Sequence, residues 1–246
     1  MRIQKMDMRE MGMSGKEKER TGKPSEAFYK IEKQLTIQLV PQKGNERLLA
    51  EVPHIRWLDL AMLFWIYREE EGYSLSILIR REQLLDWNVT VEEVARKAME
   101  HMPRLLPVKL CGVTEELERT AKGMGLTPPK SPEPEDGLKL YLLTNQRGYN
   151  GAATILYEGV LEKFAEEVGK DLILLPSSVH EVLLLPDDGD SDYEALSALV
   201  REMNEEQVRR EEWLSGHVYR YLKEEDRIIA EGNGAEGNGV KGGIWG

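Results

Sequence analysis

One short segment holds the residue types that acyl-transfer chemistry uses. In Leu175-Pro176-Ser177-Ser178-Val179-His180-Glu181, two hydroxyls, an imidazole and a carboxylate fall within five positions. Nucleophilic catalysis by a hydroxyl needs a neighbouring base and a third group to orient that base. A hydrolase site of Ser177, Ser178, His180 and Glu181, joined by His217 or Asn145, is therefore the enzymatic reading. The spacing matches no established nucleophile elbow, since no Gly-x-Ser-x-Gly surrounds the serines. The competing reading is a turn. Hydroxyls that follow a proline commonly bond local backbone, and His180 then opens a return strand. The turn is preferred, so no catalytic residues are expected.

Other motifs do not supply a metal or a cofactor. His180-Glu181 lacks the second histidine of a zinc helix. Asp187-Asp188-Gly189-Asp190 fails the calcium-loop spacing, because no glutamate stands at loop position 12, and it reads as a turn into a helix. Gly148-Tyr149-Asn150-Gly151 is followed by no Lys-Ser/Thr and is not a phosphate loop. Cys111 is the one cysteine, which excludes an internal disulfide and any multi-cysteine zinc site; a buried structural thiol is expected. His54 precedes a long strand and His101 sits at an exposed helix end. The expected cofactors and metals are none.

These residues must be positioned by strands and helices, whose order reads as strand, strand, helix. Across Trp57 to Tyr67, Leu58, Leu60, Met62, Phe64 and Ile66 alternate with the equally apolar Ala61, Leu63 and Trp65. That pattern predicts a central strand covered on both faces. The polar Arg68-to-Gly72 turn and Tyr73 to Ile79 complete a hairpin. Thr90 with Glu93 forms a capping box for a helix that Pro103 ends.

A second unit pairs Lys139–Leu143 with Ala152–Tyr157, then a helix through Val160, Leu161, Phe164 and Val168 stops at Gly169. A third pairs Asp171–Leu175 with His180–Leu185 across Pro176-Ser177-Ser178. Its helix starts at Ser191, boxed by Glu194, and runs through Tyr193, Leu196, Leu199, Val200 and Met203. His217 to Leu222 is a last strand. The mixed-sign run Arg201 to Glu212 reads as a solvated helix end. Hairpins ahead of helices predict an α+β fold, with a largely antiparallel sheet and helices packed on a face.

Composition bounds the rest. The chain has 246 residues, of which 41% are hydrophobic, so it can build a core. Its longest apolar run, Leu60 to Tyr67, is far short of the roughly 20 residues that span a bilayer. The formal charge of −11 opposes binding to a phosphate backbone. Residues 1–24 hold seven basic against four acidic side chains and read as a disordered basic head without a secretory signal. Residues 127–137, with Pro128, Pro129, Pro132 and Pro134, read as a proline-rich loop. Residues 231–246 read as a Gly-rich disordered tail. A single α+β domain over 25–230 in a soluble cytoplasmic protein is expected. Its partner is expected to be another protein, with no nucleic acid and no membrane.

Several separate stretches resemble one family. They are Pro53-His54-Ile55 with Leu58-Asp59-Leu60-Ala61, Leu142-Leu143-Thr144-Asn145, Gly151-Ala152-Ala153, and Leu174 to Glu181. Val200-Arg201-Glu202-Met203-Asn204 and His217-Val218-Tyr219-Arg220-Tyr221 belong to the same set. From about Leu35 to Ile229 the chain resembles a bacterial family of gut anaerobes known as domain of unknown function 5688. Two departures accompany the resemblance. Family members carry a longer part before Pro53-His54, here replaced by the basic head, and more often a carboxylate where Gly216 stands. The family has no assigned activity, so the resemblance implies a fold relationship and no mechanism. The functional expectation is a non-catalytic protein-interaction or accessory module, with the hydrolase as its rival.

Overall fold

The computed structural model describes residues 22–71, 73–127 and 139–231. Residues 1–21, 128–138 and 232–246, where most of the expected head, proline-rich loop and tail fall, lie outside the described residues. The first part of the chain runs α1 (Glu26–Ile31), β1 (Leu35–Pro41), α2 (Glu46–Glu51), β2 (His54–Trp57), β3 (Leu60–Glu70) and β4 (Tyr73–Leu78). Then come α3 (Arg81–Trp87), α4 (Val91–Leu105), β5 (Val108–Gly112) and α5 (Val113–Gly123). The second part runs β6 (Tyr141–Asn145), α6 (Val160–Val168), β7 (Asp171–Ser178), β8 (Glu181–Asp187), α7 (Tyr193–Gln207), β9 (Val218–Leu222) and β10 (Arg227–Glu231).

The fold is α+β, and its antiparallel strands form two sheets. In the four-stranded sheet β3 is central: β1 lies along one side, and β2 then β4 along the other. Met62, Phe64 and Ile66 enter the largest core cluster, whereas Ala61 and Leu63 pack with Val40, Leu49 and Val52. Both faces are covered, as the double apolar pattern predicts. The six-stranded sheet has the order β10-β9-β7-β8-β6-β5. Its Leu143, Leu172, Leu174, Val182 and Tyr219 share the largest cluster with the first sheet. On its other face Ile173, Leu175, Leu185 and Val218 pack against Val200 of α7.

Local signals explain much of this. Thr90 Oγ1 accepts from the Glu93 N–H at 3.3 Å, and Glu93 accepts from the Thr90 N–H at 2.9 Å. This reciprocal cap satisfies two donors at the start of α4. Gly169 ends α6 at φ 73°, a left-handed conformation that costs glycine little. Pro103 does not end α4, which continues to Leu105. Proline removes one N–H, and the Leu106 N–H closes the end on Met102 at 2.8 Å.

Five further expectations change. The expected strand Ala152–Tyr157 is a buried 3₁₀ helix over Gly151–Leu156, so β6 pairs with β5 and β8 and with no following hairpin arm. The turn expected at Pro176-Ser177-Ser178 is displaced: those residues belong to β7, and the turn is Val179-His180. Pro176 lacks a donor, and the β7–β8 register shifts between Leu175 and Ser178. The cap of α7 is Asp192, whose carboxylate accepts the Ala195 N–H at 2.9 Å. Ser191 is instead drawn to Asp187, 3.2 Å away. His101 is mostly buried, not at an exposed end, with Nε2 3.8 Å from Glu100. β3 also runs through Arg68 to Glu70, beyond the expected start of the turn.

Candidate functional site

The segment with hydrolase-like residue types lies where the β7–β8 turn meets the end of β6 and the 3₁₀ helix. Ser178 is buried and its Oγ accepts the His180 N–H at 3.1 Å, a local turn bond of the kind serine makes two residues back. The Ser177 side chain lies outside the described atoms. The Val179 N–H donates to the Glu212 carbonyl at 2.9 Å, and the Ala152 N–H donates to the Val179 carbonyl at 3.2 Å. Thr144 Oγ1 donates to the His180 carbonyl at 2.7 Å. The turn is thus held by backbone and side-chain bonds from three separate elements.

Gly151 explains why the chain can pass here. A Cβ at this position would stand 2.0 Å from Thr144 Oγ1 and 2.3 Å from the His180 carbonyl oxygen. Only glycine permits that approach. Before it, Asn150 takes φ 51° and donates its N–H to His180 Nδ1 at 3.1 Å. Asn145 closes the preceding loop, giving its amide to the Tyr149 carbonyl at 2.8 Å and accepting the Arg147 N–H at 2.9 Å.

The imidazole has partners at both nitrogens. Because the Asn150 N–H faces Nδ1, that nitrogen accepts and the ring proton belongs on Nε2. Nε2 lies 3.5 Å from Glu212 Oε1. Arg209 hydrogen-bonds and ion-pairs Glu212, holding its carboxyl below the usual range although burial opposes this. Tyr149 flanks the ring, with centroids 5.9 Å apart. Glu181 is partly buried, and burial raises its carboxyl more than the charges of His180 and Lys109 lower it. A base for serine would need a free ring nitrogen at the hydroxyl. Here the ring faces a peptide N–H and a carboxylate, and the Ser178 hydroxyl faces a peptide N–H.

His217 heads β9, its own N–H bonded to Ser215 Oγ at 3.0 Å, the same serine-to-histidine turn bond made by Ser178. The Cys111 thiol is half-buried and donates to Glu116 at 3.7 Å; burial, then the Glu116 charge, pushes its pKa up. His54 Nδ1 meets the Val52 carbonyl at 3.1 Å. Among the described residues, no group of three or more His, Cys, Asp or Glu side chains could hold a metal ion.

Next to this turn lies an open cleft of about 590 Å³ that the motif reading missed. The β3–β4 hairpin contributes Tyr67, Glu69, Glu70 and Tyr73, and the loop after β6 contributes Arg147 and Tyr149. Arg147 ion-pairs with Glu69 across it. The clue available in the sequence was the pair of tyrosines bracketing the acidic run Glu69 to Glu71.

The profile of a family of unknown function, DUF5688, matches residues 6–223. The chain belongs to DUF5688. No curated protein and no solved structure matches it. The DUF5688-like segments gather in two places. Leu142–Asn145, Gly151–Ala153 and Leu174–Glu181 meet at the His180 turn through Thr144, Gly151 and Ala152. Leu58–Ala61 and His217–Tyr221 meet where Asp59 accepts from Tyr219 and Ser215. Arg201 and Asn204 donate to the carbonyls of Gly216 and Ser215 at 3.2 and 3.4 Å. The carboxylate that DUF5688 resemblance leads one to expect at Gly216 would stand beside Arg201, whose Cγ lies 3.3 Å from an added Cβ.

Proposed function

We propose that this DUF5688 chain is a non-catalytic protein-interaction module of the cytoplasm whose contact edge is β4. One observation carries the reading: among the described residues β4 pairs only with β3, and its outward residues Tyr73, Leu75 and Ile77 are 65%, 44% and 45% exposed. An unpaired edge with an apolar stripe is a template for another strand, and proteins that do not use such an edge usually blunt it with charge or proline. β4, Tyr73-Ser74-Leu75-Ser76-Ile77-Leu78, carries neither.

The occupied ring nitrogens of His180 support the non-catalytic part, and the charge of −11 supports a protein over a nucleic acid. A single half-buried cysteine suits a reducing compartment. Among the described residues no helix is long and apolar enough to cross a membrane.

The test is site-specific photo-crosslinking in the cells that make the protein. A photoreactive side chain at Ser74 should capture a discrete protein, and Leu75→Lys with Ile77→Lys should abolish the adduct without lowering the melting temperature. Identical adducts in the double variant would overturn the proposal.

A further inference from the structure

We infer that β4 pairs with β4 of a second copy of this chain, antiparallel and centred on Leu75, joining two four-stranded sheets into one. The inference rests on the interaction reading above and names the partner.

The ladder inside the hairpin defines the open edge. The Ile79 N–H donates to the Phe64 carbonyl at 2.9 Å, one step beyond the Trp65–Leu78 pair. Bonded and non-bonded pairs alternate along an antiparallel ladder, so Tyr73, Leu75 and Ile77 turn their peptide groups toward β3. Ser74 and Ser76 turn theirs outward, and among the described residues nothing bonds them. The opposite edge of this sheet is closed by α4: the Ile37 N–H of β1 donates to Met102 Sδ at 3.0 Å.

These outward groups fit a copy of themselves. In a two-fold interface residue i meets j while j meets i. An axis at Leu75 sets Ser74 against Ser76 of the second copy, and Ser76 against Ser74, which pairs the outward peptide groups of both strands. The same register lays Tyr73 opposite Ile77, Leu75 opposite Leu75, and Ile77 opposite Tyr73. All three of these apolar residues are exposed in one copy alone, and cross-strand apolar pairs stabilise a sheet. An axis at Ser76 would instead oppose Tyr73 to Ile79, which is fully buried.

Charge sets the direction. Glu70 and Glu71 are exposed at one end of β4, and Arg80 and Arg81 at the other. Antiparallel pairing brings each acidic end beside the basic end of the second copy, whereas parallel pairing would place like charges together. The two acidic ends then stand about 26 Å apart along the strands, at about 3.3 Å per residue. That is well beyond the screening length of about 8 Å at physiological salt. Six residues per copy bury less than the roughly 1,200 Å² of a stable interface, and the net charge of −11 repels. The dimer is therefore weak and concentration-dependent.

Sedimentation of the full chain from about 10 μM to about 1 mM should show a monomer–dimer equilibrium. Leu75→Lys and Leu75→Glu should each weaken it at least about tenfold, because like charges then oppose one another at the axis. An equimolar mixture of the two variants should associate to within about threefold of wild type, since lysine then faces glutamate. Only a residue that meets its own counterpart behaves in this way. A chain that stays monomeric throughout overturns self-pairing, and the photo-crosslink at Ser74 then decides the edge reading separately. A dimer that both variants leave intact forms through another surface and also overturns the inference. So does a mixture that associates no better than either variant alone.

Discussion

The Tyr219 hydroxyl donates to Asp59 at 2.5 Å although the two residues stand 160 positions apart. Asp59 lies in the turn between β2 and β3, and Tyr219 is a fully buried residue of β9, so this bond joins the two sheets. Ser215 adds a second bond to the same carboxylate at 2.8 Å. The turn is itself pinned. Leu58 takes φ 51°, and the Gln42 side-chain amide donates to the carbonyls of Leu58 and Leu60 at 2.9 and 2.8 Å.

Tyr219→Phe should lower stability at pH 7 by about 1.5–3 kcal/mol, the usual worth of a hydrogen bond to a charged group. Burial, reinforced by Asp59, raises the Tyr219 hydroxyl well above its ordinary pKa. Tyr193 is pushed up to about 12 by burial and Asp187, and burial likewise raises Tyr157 and Tyr221. The folded protein therefore keeps protons that unfolded tyrosines lose near pH 10. This stability is complete below about pH 10 and is lost as pH rises toward the folded values. Urea melts across this range should show a steep decline in wild type and a shallower one in Tyr219→Phe. Parallel curves would contradict the assignment.

We propose that residues 25–230 melt as one unit, because Leu35 and Phe64 of the first sheet share a buried cluster with Leu172 and Tyr219 of the second. Each large side chain buried there contributes roughly 1.5–3 kcal/mol, which neither half would gain alone. Fragments 35–126 and 138–230, expressed separately, should fail to give cooperative transitions. Two sharp, independent melts would count against a shared core.

Gly151→Ala should be among the most damaging single substitutions, costing about 3 kcal/mol or more through overpacking. The nearer clash is with Thr144 Oγ1, but the 2.3 Å approach to the His180 carbonyl is with backbone. Thr144→Ala should therefore fail to rescue Gly151→Ala in a double variant. Full recovery in denaturant melts would show that the side chain alone was in the way.

Ser178→Ala should lower stability by about 0.5–2 kcal/mol, since it leaves the His180 N–H without its acceptor. A serine-reactive phosphonate should label neither protein. Stoichiometric labelling of wild type that disappears in Ser178→Ala, with melting unchanged, would restore the hydrolase reading.

Glu181→Gln should raise the melting temperature by about 1–3 °C at pH 7. Burial is the largest influence on this carboxyl and lifts it above its usual range, while His180 and Lys109 pull weakly the other way. A raised carboxyl favours folding below the unfolded value near 4.5 and loses that contribution as pH rises through the folded value. The advantage of the glutamine variant should consequently vanish on acidification to pH 4. An advantage unchanged from pH 7 to pH 4 would exclude this origin.

What the sequence by itself determined is local. The Thr90–Glu93 cap, the Gly169 stop and the doubly apolar β3 each depend on residues within a few positions, so spacing alone reveals them. β3, β4, β6, β7, β8 and β9 were legible for the same reason, whereas β1, β2, β5 and β10 were not read as strands. Tertiary structure decided whatever depends on a distant partner. Gly151–Leu156, read as a strand, is a 3₁₀ helix whose first residue lies against Thr144 and the His180 carbonyl, partners 7 and 29 positions away. Asp192 caps α7 in place of Ser191 because Asp187 takes the serine hydroxyl. The His180 ring is bound by Asn150 and Glu212, residues on opposite sides of it in the chain, and neither carries a motif. The cleft is the furthest case: Glu69 and Arg147 pair across 78 positions, and only the packing of two sheets brings them together.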